Sequence, residues 1–287
     1  MKAIYKKEVK SYLTSMIGYV FIFFILLLEG IYFTAYNLQN AYPLFGTTLS
    51  AVTFIFLILV PVLTMKTIAE ERKQKTDQLL LTAPVSVSEI VLGKFLAVAT
   101  VYAIPVLIIC LYPMIMGKYG TVSYAMAYTA VLGFALRGFA QIAVGVFWSS
   151  VTENPVIAAV VTFIVLFVCY MITGIGSLIP DSFMASLACY MLLVLLAAVW
   201  IYHMIRNLWI AAVIGIAGEA ALAITYVVKS TLFEGSIQKF LSVFDITSHF
   251  DNFTNGILDL QGVVYFLSVI IIFLVLTVQT ITKRRWN

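Results

Sequence analysis

Eight long apolar stretches run along the chain, each bounded by a polar or charged segment. They cover residues 18–36, 48–66, 95–116, 124–149, 156–178, 184–203, 208–228 and 263–282. Because a membrane-crossing helix needs about 20 mostly apolar residues, the pattern predicts an all-α, polytopic membrane bundle. Only residues 203–207 separate the sixth and seventh stretches. We therefore expect six core spans plus an extra hairpin over 184–228, eight in total, with a re-entrant element or short surface helices as the alternative for that pair.

The amino-acid composition fits a membrane protein with many spans. Of the 287 residues, 63% are hydrophobic and 10% are charged, whereas an ordinary soluble domain carries about 25% charged residues. So little polar surface argues against a soluble enzyme, a nucleic-acid-binding module and a disordered protein. A single membrane domain over residues 1–287, with no nucleic-acid partner, is the simplest organisation.

The distribution of basic residues predicts the orientation of the spans. If the N-terminus is cytoplasmic, nearly all lysines and arginines outside the spans fall on the cytoplasmic side. The exceptions are Lys118, Lys229 and Lys239. Because cytoplasmic loops carry an excess of Lys and Arg, both termini are predicted to be cytoplasmic.

Residues 2–16 predict an amphipathic helix that lies along the cytoplasmic membrane surface. Its apolar side chains recur at helical spacing and its lysines fall largely on the other side. The apolar positions are Tyr5, Val9, Tyr12, Leu13 and Met16. Lysines at this depth suit contacts with anionic lipid head groups. The helix is either a simple topology anchor or a lever between a cytoplasmic partner and span 1.

Residues 69–94 form the most highly charged part of the chain, in a cytoplasmic loop between spans 2 and 3. The charges are concentrated in Glu70, Glu71, Arg72, Lys73, Lys75 and Asp77, and a leucine triplet follows at 79–81. Apolar anchors with a polar rim are typical of protein interfaces. The loop therefore predicts a docking surface for another protein, with a plain solvated loop as the alternative.

A short cytoplasmic turn and a long external stretch flank the later spans. In the cytoplasmic turn 149–159, Asn154 suits the N-cap of a helix, Pro155 its first turn, and Glu153 the positive end of its dipole. On the external side, residues 229–262 predict an amphipathic helix that rests on the membrane or dips part-way into it. Its apolar stripe consists of Phe233, Ile237, Phe240, Leu241 and Phe244.

Three charged residues interrupt the apolar stretches: Glu29, Arg137 and Glu219. A charge at the centre of a membrane helix costs about 2.5–3.5 kcal/mol on insertion scales and usually finds a partner inside the bundle. Because the predicted depths of Glu29 and Arg137 are compatible, we expect them to form an ion pair. The pair would act as a clamp between helices or would bind a polar group of a transported molecule. Glycine and alanine beside Glu219 indicate close helix packing.

Motifs for catalysis and for metal binding are missing from the sequence. It has no phosphate-binding loop of the G-x-x-x-x-G-K-[ST] type, no H-E-x-x-H helix and no G-x-S-x-G elbow. Cys110, Cys169 and Cys189 all lie in apolar stretches, as small hydrophobic residues do. The chain alone is therefore predicted not to be an enzyme, and no metal site is predicted.

Four segments, taken in order, resemble the membrane subunit of type-2 ABC exporters, most closely the gliding-motility (GldF-like) permease branch. The first and last are KKEVKSYLTSMIGYV near the N-terminus and SHFDNFTNGILDLQGVVYFLSV before the final span. The turn SSVTENPVIAA is the third. The second is the loop between spans 2 and 3, through Glu70, Glu71, Arg72, Thr76, Asp77, Leu79, Leu80, Thr82, Pro84, Val85, Ser86, Glu89, Ile90, Gly93 and Lys94.

The resemblance implies a transporter in the bacterial cytoplasmic membrane, with two permease chains and two copies of a separate ATPase. ATP and magnesium would bind to the ATPase, so no cofactor is expected on this chain. Residues 67–94 would form the loop that couples to the ATPase, and residues 1–16 the connecting helix. The implied coupling residues are Glu70, Glu71, Arg72, Thr76, Asp77, Leu79 and Leu80, with a second contact at Thr152, Glu153 and Asn154. The hairpin 184–228 lies outside the six-span pattern, where an accessory envelope subunit is a further possible partner.

Two other functions remain open at the level of sequence. One is a secondary transporter or channel that acts alone, which would need converging intramembrane charges and often an inverted repeat. The other is a membrane anchor that transmits mechanical work from an ATPase to an envelope partner without transport. The sequence does not identify the transported molecule.

Overall fold

The computed structural model describes residues 1–78, 85–205, 207–229 and 233–286. Within these residues the chain is helical and contains no strand, which confirms the predicted all-α class. The helices are α1 (Lys2–Thr14), α2 (Met16–Tyr32), α3 (Phe45–Val52), α4 (Phe56–Thr64), α5 (Ala69–Lys73), α6 (Val87–Ile109), α7 (Tyr112–Met116), α8 (Tyr124–Val151), α9 (Pro155–Leu178), α10 (Phe183–Ile205), α11 (Leu208–Val228), α12 (Ser236–Ser242), α13 (Ser248–Thr254) and α14 (Leu260–Trp286). A π-helical segment, Phe33–Gln39, extends α2, and a 3₁₀ turn, Thr53–Ile55, joins α3 to α4.

Six helical segments of the described chain are long and apolar enough to cross a membrane. They are Met16–Gln39, Phe45–Lys73, Val87–Tyr119, Tyr124–Val151, Pro155–Ile172 and Leu260–Arg284, and we number them spans 1 to 6. Each overlaps one of the six predicted core spans. The apolar parts of α10 and α11, Phe183–Val199 and Ala212–Val228, are shorter. The structure therefore confirms a polytopic helical membrane protein and two additional apolar helices.

The chain divides into two compact units, and the first consists of residues 1–168 and 249–287. At its centre lies α8, and 72% of the most apolar stretch of this helix is buried inside the protein. Small residues permit this burial, because a Cβ atom at Gly138 would overlap the ring of Tyr102 and one at Gly145 would overlap the side chain of Thr64. The helices α4, α6 and α14 pack against α8, and α1 lies along α6.

The second unit consists of residues 169–248 and contains α10 and α11, which pack against each other. A Cβ atom at Gly218 would lie 2.8 Å from Val194, and one at Gly215 would lie 3.2 Å from Ala198. The helices therefore approach closely and run antiparallel, as a hairpin does. The expected amphipathic helix of the 229–262 segment is shorter than its apolar stripe, since α12 covers only Ser236–Ser242 and α13 follows after a turn.

The first helix differs from the prediction at its C-terminal end. The helix ends at Thr14, because Ser15 is extended with φ −93° and ψ 150°. Met16 therefore begins span 1, and the helix predicted over residues 2–16 is shorter, without Met16 on its apolar face. Tyr12, one turn earlier, is buried as the pattern predicted.

Candidate functional site

A buried lysine lies near the N-terminal end of span 3. Ser86 and Glu89 form a capping box that starts α6, and Lys94 follows two turns later with only 2% of its surface exposed. Its Nζ lies 3.0 Å from Glu8 Oε1 and 2.9 Å from Glu71 Oε2, and donates to the Thr67 carbonyl at 2.8 Å. Of the three donors of an ammonium group, two therefore hydrogen-bond to Glu8 and Thr67, and Glu71 adds an ion pair.

The cluster around Lys94, which we call the Lys94 cluster (Lys7, Glu8, Glu71 and Lys94), joins three segments of the chain. Glu8 belongs to α1, Glu71 to α5, and Lys94 to α6. Lys7 approaches the same carboxylates, at 3.3 Å from Glu71 Oε1 and 3.9 Å from Glu8 Oε1. The two cations and two carboxylates therefore balance, which is what a poorly solvated ion cluster requires.

Tyr12 supports this cluster from the same face of α1. Its hydroxyl donates to the Leu63 carbonyl at 3.2 Å and lies 3.2 Å from Thr67 Oγ1. Burial of the phenol is the main reason that the pKa of Tyr12 is raised well above its ordinary value. The hydroxyl therefore stays a neutral hydrogen-bond donor throughout the physiological pH range.

A second group of charges, which we call the Glu153 cluster (Arg72, Asp77, Glu153 and Arg284), connects α5 to the ends of spans 4 and 6. Arg72 Nη2 lies 3.2 Å from Glu153 Oε1, and Arg284 Nη2 lies 3.3 Å from the same oxygen. Arg284 Nη1 lies 3.2 Å from Asp77 Oδ2. Arg72 also donates to the carbonyl groups at the C-terminal end of α8. The segment from Arg72 to Asp77, at the end of span 2, is thereby held to both helix ends.

A serine near the end of α8 fixes the start of α5. Ser149 Oγ accepts hydrogen bonds from the backbone N–H groups of Ile68 at 3.1 Å and Ala69 at 3.0 Å, and it donates to the Met65 carbonyl at 3.1 Å. Ser149 is fully buried. The first N–H groups of a helix have no acceptor within the helix. The Ser149 hydroxyl is the acceptor for two of them at the start of α5.

A cavity of about 340 Å³ lies between the two clusters. Its wall carries charged groups from both clusters, and apolar side chains complete it. The residues that line it are Ile68, Glu71, Arg72, Asp77, Ile90, Lys94, Ser150, Val151, Thr280, Ile281, Lys283 and Arg284. The C-terminal ends of spans 2, 4 and 6 and the N-terminal end of span 3 therefore meet around one mixed-charge recess.

Most of the predicted coupling residues belong to these clusters or to the turns beside them. Glu70 Oε1 accepts from Gln74 at 2.8 Å, and Thr76 donates to the Glu71 carbonyl at 3.3 Å. The Thr152 carbonyl accepts from Arg72, and Asn154 caps α9 by accepting from the backbone N–H of Val156 at 2.9 Å. Leu79 and Leu80 lie outside the described residues.

Sequence reasoning did not assign a role to Glu8, Lys94 or Arg284. A signal for the first was available, because Glu8 is the one acidic residue before Glu29 and stands among four lysines. Lys94 had a similar signal, as a single charge at the entrance of a long apolar stretch. Arg284 carried no such signal, since it is one of three consecutive basic residues.

The predicted ion pair between Glu29 and Arg137 is not formed. Glu29 is fully buried, and within the described part of the chain neither of its carboxyl oxygens has a hydrogen-bond partner. Arg137 is 3% exposed, and its guanidinium carbon lies 5.3 Å from the centre of the Phe250 ring. The arginine is thus directed to an aromatic face, where a cation–π contact stabilises it, and matching depth alone did not bring the two residues together.

The chain is similar to a known protein family over nearly its whole length. Residues 2–284 match the family described as ABC-2 family transporter protein. No curated protein matches the chain.

Proposed function

Because this chain belongs to the ABC-2 transporter family, it is a membrane permease subunit of an ABC transporter, and we propose that it serves a bacterial exporter of the gliding-motility branch. Permeases of this family generally work with an ABC ATPase subunit. The proposed assembly contains two ATPase copies and a second permease chain in the cytoplasmic membrane. ATP and magnesium would bind to the ATPase. Family membership favours this function over a transporter that acts alone.

The contacts of α5 carry the proposal. This short helix has Glu71 in the Lys94 cluster and Arg72 in the Glu153 cluster. A displacement of α5 by the ATPase would therefore act at once on α1, on span 3, and on the ends of spans 4 and 6. Coupling requires contacts that differ between two conformations, and breakable ion pairs around a recess supply such contacts.

Glu71 is the residue on which we would test the coupling. Glu71→Lys places a third cation against Lys7 and Lys94, which lie 3.3 Å and 2.9 Å from the present carboxylate. The expected result is a chain that still inserts and still recovers the ATPase, while ATP hydrolysis no longer drives transport. Lys10→Glu, on the exposed side of α1, is the matched control for a charge reversal near the membrane surface.

The experiment begins with a pull-down of the tagged chain from native membranes, followed by mass spectrometry. An ATPase of about 25–35 kDa, the size of one nucleotide-binding domain, should be recovered in equal amounts. The same gel would reveal an accessory envelope subunit. A chain that purifies without any ATPase even after mild crosslinking would refute the proposed assembly, and normal transport by Glu71→Lys would refute the coupling role.

A further inference from the structure

Glu219 is a carboxylic acid in the middle of an apolar helix. It lies about half-way along α11 (Leu208–Val228). Both carboxyl oxygens are buried, and neither has a hydrogen-bond partner among the residues that the structure describes. A buried polar group without a partner is costly, and intramembrane acids normally face a partner or a binding site. The position of Glu219 therefore requires an explanation that its own hairpin does not supply.

An open groove of about 630 Å³ runs between α10 and α11 beside Glu219. Its walls are almost wholly apolar and present exposed side chains, with Leu195 at 53%, Val199 at 55% and Ile216 at 71% exposure. On the α11 side the lining includes small residues, which leave space in the groove. They are Gly215, Ala220 and Ala223. A groove between two helices with small residues in it suits the side chains of a third helix.

We propose that this groove binds one transmembrane helix of an accessory protein, and that this helix carries a lysine or arginine that pairs with Glu219. Charge complementarity argues for a basic side chain, because the acid is the single charge among the described residues that line the groove. A second copy of this chain fits poorly. Its one basic residue deep within a span is Arg137, which is 3% exposed and therefore cannot reach a neighbour.

This inference builds on the accessory partner of the proposed function, and its test is independent of ATP hydrolysis. The probe is a synthetic, leucine-rich, single-span peptide of about 20 residues with arginine at its centre and a photoreactive leucine beside it. The matched probe has leucine in place of the arginine. Binding to the full chain in lipid nanodiscs is measured by energy transfer, and mass spectrometry locates the crosslinked residues.

The arginine peptide should bind about 3- to 20-fold more tightly than the leucine peptide, the range expected from interhelical polar contacts in membranes. Glu219→Gln should abolish that difference. Ala223→Phe, which fills the groove, should weaken binding of both peptides. Ala221→Phe, on the other side of the same helix, should change neither. Crosslinks should fall on Leu195 and Ile216.

Three results would overturn the proposal. Equal affinity for the two peptides would assign the groove to lipid or to an apolar helix. An arginine preference that survives Glu219→Gln would remove the acid from the site. Crosslinks between copies of the chain through this groove would make it a self-association surface. None of these results would affect the permease function, because no ATPase takes part in the measurement.

Discussion

Replacing Lys94 by methionine tests the energetic importance of the Lys94 cluster most directly. Methionine keeps much of the apolar length of lysine but removes the ammonium group, so Glu8 and Glu71 lose a partner at 3.0 Å and 2.9 Å. Removing one partner of a buried ion pair costs about 3–5 kcal/mol, because a buried charge is left uncompensated. Lys7 remains near both carboxylates, so we expect a loss near the lower limit, about 3 kcal/mol.

The assay is reversible unfolding of the purified chain in mixed detergent micelles, from which the free energy of unfolding is obtained. Lys10→Met is the control, because Lys10 is exposed on α1 and surface changes usually stay within about 0.5 kcal/mol. Combining Lys94→Met with Glu71→Gln removes charges of both signs. Since the two residues are in contact, the combined loss should be smaller than the sum of the single losses by about 1–3 kcal/mol.

Two results would refute this reasoning. If Lys94→Met were as stable as Lys10→Met, the buried ammonium would contribute nothing to the folded state. If the losses of the two single variants simply added, Lys94 and Glu71 would not be energetically coupled. Lys94→Arg provides a further check on geometry, because a planar guanidinium does not match the three oxygen atoms that surround the compact ammonium group of Lys94.

Three further predictions concern the ends of helices. Ser149→Ala leaves two buried backbone N–H groups at the start of α5 without an acceptor, so the free energy of unfolding should fall by about 1–3 kcal/mol; a wild-type value would contradict this. Glu153→Gln should lower stability by at most about 1 kcal/mol, and only at low salt, because this carboxylate is 64% exposed; a salt-independent loss would count against it. The hydrogen bond from Asn252, at 2.9 Å, is the main cause of the lowered pKa of Asp259. The stabilisation that the Asp259 carboxylate contributes is therefore complete above the ordinary pKa of aspartate, and it is lost as the pH falls through the lowered pKa of Asp259. A pH series of thermal midpoints for wild type and Asp259→Ala would detect this loss.

The spans were predictable from the sequence because hydropathy reports directly on the environment of each helix. The six core stretches overlap six apolar helical segments, and the 184–228 stretch forms two further apolar helices. The turn at Asn154 was predictable for a local reason, since capping depends on adjacent residues. These features need no knowledge of how the helices are rotated or which of them are neighbours.

The pairing of charges was not predictable in the same way. Depth in the membrane follows from sequence position, but the direction of a side chain depends on helix rotation and packing. Arg137 is directed to the ring of Phe250 rather than to Glu29. Lys94 finds its partners 86 and 23 positions away in the sequence, through contacts that no local pattern specifies. The position of the charged loop follows from the sequence and its role as a docking surface stays a prediction, whereas the partners of its charges are seen only in the three-dimensional structure.

The extended conformation of Ser15 has a consequence for local unfolding. Because the helical hydrogen-bond ladder is interrupted between α1 and span 1, α1 can detach without melting the span that follows it. Its attachment then depends on side-chain contacts with the rest of the protein, among them the hydrogen bonds of Glu8 and Tyr12 and the packing of α1 along α6. Segments of a folded protein can open locally at free energies below that of global unfolding. Amide hydrogen exchange along α1 should therefore report, residue by residue, how firmly the first helix is held in each state of the transporter.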